Sequence, residues 1–203
     1  MKMKGTFLKK LGLVAGLLVL AGVSASAQDF DVAFGVGTLI APSASSASGN
    51  HNPVSLTRGA YPVFSADYLL KHNFGFGGEM AWRASRNVYA GFQPYRPLFY
   101  DFGAVYAPHV RKVGAELHAG IGWESLRFYQ PFFTCGGFSG CSNFVSSNHF
   151  MGHFGGGLRY YFKGHFFVRP EAHVYLIRNN IEFSSPLATR VGVSLGYTFA
   201  PGF

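Results

Sequence analysis

Six residues of this 203-residue chain could meet around a metal ion: Glu116, His118, Glu124, His153, Glu171 and His173. All take one parity in segments of alternating polarity, and zinc accepts both imidazole and carboxylate ligands. Two features argue against that use. No compact motif such as His-Glu-x-x-His occurs, and Arg159, Arg169 and Arg190 share the parity, where they would repel a cation. An ion-pair network is the simpler chemistry, because buried charges persist only when partnered. The expected network comprises Asp67, Glu79, Arg83, Asp101, Glu116, His118, Glu124, Arg159, Arg169, Glu171, His173 and Arg190. Neither a metal ligand nor a cofactor is assigned.

Nucleophilic chemistry has little to work with. An esterase site on one strand face would use His-x-Ser, and none of the eight histidines is followed two residues later by serine. Ser194 has no histidine near it in sequence. A triad assembled from separate strands would leave no local trace, but no catalytic residue is assigned and no enzyme is expected.

Cys135 and Cys141 are the two cysteines, and three glycines lie between them. In an exported chain an even pair reads as a disulfide, and two thiols supply only half of a zinc site. A bridge across so short a loop stabilises it by about 2 kcal/mol in the chain-entropy account, a model-dependent figure.

The elements that must position these groups are strands. Leu187, Thr189, Val191, Val193, Leu195, Tyr197 and Phe199 line one face of the last segment; Ala188, Arg190, Gly192, Ser194, Gly196 and Thr198 line the other. Eight such period-two segments are expected near 30–40, 60–70, 74–84, 98–108, 113–124, 149–162, 166–177 and 187–199. Seven of the nine acids take the small-residue parity: Asp31, Asp67, Glu79, Asp101, Glu116, Glu124 and Glu171. The opposite face carries bulky apolar residues and no charge, which describes lipid outside and a polar lumen within. Strand two departs from the pattern, since Val63 and Leu69 share the parity of Asp67. Aromatic residues cluster by height, with Phe30, Phe74, Tyr106, Phe166, Tyr197 and Phe199 toward one rim and Trp82, Tyr100 and Trp123 toward the other.

The chain ends and connections fit the same picture. Lys2, Lys4, Lys9 and Lys10 precede an apolar run from Leu11 to Val23, too short to span a bilayer, and Ala25-Ser26-Ala27 follows it. A cleavable signal peptide over 1–27 and a barrel domain over 28–203 are expected, with export to the outer membrane. Losing those lysines lowers the formal net charge from +8 to about +4, and no basic cluster with interleaved aromatics suggests nucleic-acid binding. Connections after strands two, four and six are short; those after one, three, five and seven are long, near 41–59, 85–97, 125–148 and 178–186. Short periplasmic turns alternating with long outer loops are the pattern of a transmembrane barrel. The loop carrying the cysteines should be a stapled knob outside the cell.

With Ala25-Ser26-Ala27, the final strand Val191–Phe199, the strand start Val168-Arg169-Pro170-Glu171 and the terminal Phe203, the chain resembles the OmpA-like and OmpX-like outer-membrane barrels of Gram-negative bacteria. The resemblance covers the mature chain as a pattern. It implies an all-β, eight-stranded antiparallel up-and-down barrel without a peptidoglycan-binding domain. It also implies recognition of a C-terminal aromatic by the barrel-assembly machinery, although Ala200-Pro201-Gly202-Phe203 follows Phe199 here. Glycines at 75, 77, 114, 120, 122, 155, 157, 192 and 196 should make room for long lumenal side chains, and eight strands leave an interior that side chains fill. The expected function is structural or surface-interacting through long extracellular loops, as a monomer in outer-membrane lipid with an unidentified surface ligand. A narrow channel or small-ligand-binding barrel, and a lipid-modifying enzyme, are the alternatives.

Overall fold

In the computed structural model the described residues are 29–41, 56–70, 73–136, 140–180, 182–183 and 186–199. The leader at 1–27, most of the serine-rich first loop and Phe203 lie outside them. Eight strands close a ring: β1 (Asp29–Ile40), β2 (Tyr61–Leu69), β3 (Phe74–Trp82), β5 (Gln93–Tyr106), β7 (Val113–Gly136), β8 (Gly140–Lys163), β9 (Phe166–Ile177) and β10 (Leu187–Phe199). Each pairs antiparallel with its neighbours, and β1 meets β10 to complete the circle. Two short strands, β4 (Asn87–Tyr89) and β6 (His109–Val110), extend the edges of β5 and β7. A closed ring leaves no unpaired edge, as a bilayer demands of any spanning sheet. The tight turns use left-handed backbone at Asn73 (φ 64) and Arg111 (φ 56).

The alternation directs side chains as expected. Phe34, Val36, Leu117, Ile121, Val193 and Leu195 point outward, each at least 46% exposed. Between the two aromatic rims no outward position of the ring strands carries Asp, Glu, Lys or Arg. At the short-turn end Phe74 stacks on Tyr106 at 4.3 Å, and Tyr197 packs against Phe166 and Phe199. At the long-loop end Trp123 lies between Tyr100 and Phe150. These bands suit amphipathic rings at the two faces of a membrane.

Inside, the lumen has three tiers. Leu69, Val105 and Ala107 form a small apolar group near the short turns. The charged residues occupy the middle. Above them Leu39, Leu56, Tyr61, Val63, Tyr95 and Phe183 belong to a larger apolar core at the long-loop end. This settles strand two: Val63 and Leu69 face inward with Asp67 because both ends of the lumen are apolar.

One expectation fails. The stretch 125–148 is not a loop, because β7 and β8 each run 24 residues and pair almost to Gly136↔Gly140. β5 likewise begins at Gln93, inside the second expected long loop, 85–97. The runs 129–133 and 142–149 break the lipid-lumen alternation because beyond Phe128 β7 pairs only with β8, outside the ring.

Candidate functional site

The lowest charged tier is built by Arg159 on β8 and Arg169 on β9. Arg159 donates through Nε to Glu116 at 2.7 Å, through Nη2 to the same carboxylate, and through Nη1 to Asp31. Its guanidinium also lies 4.9 Å from the Phe167 ring centre. Arg169 Nη1 is 2.6 Å from both Glu116 oxygens, while Nε reaches Glu171 at 2.8 Å and Nη2 reaches Ser65 at 3.0 Å. Asp67 completes the tier at 3.6 Å from Arg159. Every one of these charged groups is buried. Desolvating them costs several kcal/mol per ion, offset only because each guanidinium meets more than one acceptor.

The next tier centres on Arg190 of β10, which lies against Glu79 and Glu171 at 2.8 and 3.0 Å. The Tyr175 hydroxyl donates to Glu79 at 3.1 Å and the Ser194 hydroxyl to Glu171 at 2.9 Å. From Glu79 a third branch runs sideways through histidines. His173 Nδ1 lies 3.9 Å from Glu79 and 2.8 Å from His153 Nε2. His153 Nδ1 is 2.9 Å from Asp101 Oδ1, and His118 Nε2 approaches the same oxygen at 3.1 Å.

Glycines create the space for these groups. A methyl at Gly155 would strike the His173 ring, one at Gly77 would strike the Asp67 carboxylate, and one at Gly196 would enter the Phe167 ring. A methyl at Gly157 would come within 2.7 Å of Arg169 Cγ. The small parity of each strand is thus the negative of the side chains opposite it.

Ten of the twelve residues expected in the network are brought together. Arg83 and Glu124 are buried as expected, but neither forms a salt bridge among the described residues. They sit higher, at the level of the apolar core. Sequence parity marked Asp31 and His153 as lumenal, and both join the network, Asp31 through Arg159 and His153 as the link between His173 and Asp101. Ser65, Tyr175 and Ser194 were missed as partners, because nothing local shows which hydroxyl meets a carboxylate across the barrel.

Ser147, His149 and Glu182 meet at the long-loop end, a grouping that a search for His-x-Ser does not detect. Ser147 Oγ is 3.2 Å and Glu182 Oε2 2.9 Å from the same ring nitrogen, Nε2 of His149. A relay from hydroxyl to carboxylate needs both ring nitrogens, so the three do not form a triad in this arrangement.

Beyond Phe128 on β7 and before Met151 on β8, the two strands pair only with each other. They form a ribbon rising about 25 Å above the barrel at roughly 3.3 Å per residue. Its register shifts between Tyr129 and Thr134, and Cys135 and Cys141 face each other across it in a disulfide. Phe132 and Phe133 are 61% and 70% exposed near its end. Arg86 stacks on Tyr129 at 3.7 Å and Arg127 on Phe144 at 5.0 Å, tying the ribbon base to its surroundings. Here, outside the ring strands, burial pushes the Tyr89 phenol up from its usual range.

No family model matches the sequence, and no curated relative matches it. Solved structures do match its shape. Neisserial surface protein A aligns with TM-score 0.59 at 10% identity, over 86% of this chain and 100% of that one. A major outer membrane protein of Thermus thermophilus aligns with TM-score 0.55 at 10% identity over the same shares. The attachment invasion locus protein of Yersinia pestis, in complex with the heparin analogue sucrose octasulfate, aligns with TM-score 0.51 at 11% identity, again over 86% and 100%. At these identities the likeness is one of fold, and it agrees with the closed ring, the uncharged outer band and the polar lumen. The chain is an eight-stranded transmembrane β-barrel with the fold of the small outer-membrane barrel proteins.

Proposed function

We propose that residues 1–27 export the chain, that 28–203 assemble as a monomeric integral outer-membrane barrel through the barrel-assembly machinery, and that the protein acts as a surface-interaction protein. The β7–β8 ribbon carries this reading. Strand pairing and lipid burial need nothing beyond the barrel rim, yet the chain spends two further arms on a stapled, aromatic-tipped projection. Exposed aromatic residues on a rigid support are what contact surfaces use. Arg58, Arg86, Arg96, Arg127 and Arg178 lie around the same end, so the partner class favoured is a polyanion. The Yersinia protein's sulfated ligand makes heparin a reasonable probe.

A channel fits less well. The apolar tier, with Tyr61, Tyr95 and Phe183 fully buried, lies across the lumen above the ion pairs. The test is adhesion of cells displaying the full chain to immobilised heparin. The control replaces residues 129–144 by an Asn-Gly turn between the paired Phe128 and Val145. Ribbon-dependent adhesion is expected. Equal adhesion by both forms, or ion conductance by the purified barrel in planar bilayers, would count against the reading.

A further inference from the structure

The histidine branch of the lumen points to a cation site. Asp101 Oδ1, His118 Nε2 and His153 Nδ1 converge, with all three ligand atoms within 4.8 Å of one another. The two nitrogens lie 3.1 and 2.9 Å from the one carboxylate oxygen, but off the direction of a good hydrogen bond. Buried polar atoms that crowd together without bonding one another are unusual, because each forfeits its hydration. A shared ion resolves this. Ligand atoms about 2.0–2.2 Å from a tetrahedral zinc stand roughly 3.3–3.6 Å apart, so the 2.9 and 3.1 Å separations here would open by a few tenths of an ångström around an ion.

Charge balance favours the same conclusion. The connected network sets six carboxylates, Asp31, Asp67, Glu79, Asp101, Glu116 and Glu171, against three guanidiniums, Arg159, Arg169 and Arg190. The guanidiniums that seemed to forbid a cation are committed to other carboxylates. Asp101 pairs only with His118 and His153 among the described residues. Three carboxylates are thus in excess, and Asp101 is one that meets no guanidinium, at the point where the imidazoles gather.

The surroundings also orient the ligands. His153 Nε2 is 2.8 Å from His173 Nδ1, so a proton on Nε2 leaves the Nδ1 lone pair facing Asp101 and His118. His173 in turn lies 3.9 Å from both Glu79 and Glu171. A hydrogen-bonded second layer of this kind sets the tautomer of a metal-bound imidazole. Gly120 and Gly155 keep the space open, since a methyl at either would press on His118 or His173.

We infer that Asp101, His118 and His153 bind one borderline divalent cation of the zinc class inside the barrel, with His173 as a positioning residue. Two imidazoles and a carboxylate select such an ion over magnesium or calcium. The site stands independently of the ribbon's role.

The test uses the full barrel, stripped of metal by chelator while unfolded, refolded in detergent, and titrated with Co2+ and then Zn2+. One Co2+ per chain with a visible absorption band, displaced by Zn2+, is expected. Asp101→Asn and His153→Gln should each weaken binding at least about tenfold, and His173→Gln about 10–100-fold. His109→Gln, at the short-turn rim, should bind as the parent does; gel migration before and after boiling reports that each variant folds. X-ray absorption of the parent's zinc form should show two imidazoles and an oxygen ligand, whatever the variants do. No retained ion, undiminished binding by Asp101→Asn, or a zinc shell lacking two imidazoles would overturn the site and leave the cluster as part of the ion-pair network alone.

Discussion

Arg190 on β10 holds Glu79 on β3 across the lumen, with Nη1 2.8 Å from Oε1 and Nη2 2.8 Å from Oε2, although 111 residues separate them. Two strands intervene on the shorter way round the ring, so this contact braces the barrel through its centre. A polar contact of this reach depends on small residues along both walls.

Replacing Arg190 by Leu should leave the fold but cost about 3–5 kcal/mol, because Glu79 and Glu171 lose their buried counter-charge. Equilibrium urea unfolding in micelles, followed by tryptophan fluorescence, measures this. A loss under about 1 kcal/mol would mean that the lumenal pairs are not holding the barrel together.

Val193 and Ser194 are neighbours on β10, one 46% exposed toward lipid and the other 2% exposed toward the lumen. Val193→Arg should cost about 2–4 kcal/mol near the membrane midplane and impair refolding into liposomes, as should Ile121→Arg. If liposome refolding tolerates Val193→Arg yet rejects Ser194→Arg, the inside and outside of the sheet are exchanged.

Gly196→Leu should destabilise by about 1–3 kcal/mol, since its side chain has to displace the Phe167 ring beside Arg159. The same substitution at Gly91, which has nothing within 4 Å, should spare packing and act only through its φ of 84°. Thermal unfolding of the two variants distinguishes them; equal losses would remove packing as the cause.

Parity was readable from sequence wherever a strand had lipid on one side. Phe30 to Val36 and Leu187 to Phe199 announce their outer faces, and the acids fall on the inner face because lipid penalises them. Reading stopped where the environment changed. Beyond Phe128 β7 has left the ring and pairs with β8 alone, so no lipid-lumen alternation marked the ribbon as strand. Val63 and Leu69 looked misplaced because a polar lumen was assumed throughout, whereas its two ends are apolar. Most members of the charge network were legible, apart from Arg83 and Glu124, which stand outside it, and Asp31 and His153, which join it; its pairings were not. That Arg169 meets Glu116 and Ser65 depends on ring closure and register, which no local pattern carries.

Cys135–Cys141 reports directly on whether this is a membrane barrel whose stapled ribbon stands outside the cell. Intact cells are treated with a membrane-impermeant maleimide before and after an impermeant reductant, and the labelled peptide is identified by mass spectrometry. No labelling is expected before reduction, and labelling of both cysteines in intact cells after it. Free thiols before reduction would contradict the bridge, and labelling only once the outer membrane is opened would contradict the orientation of the barrel.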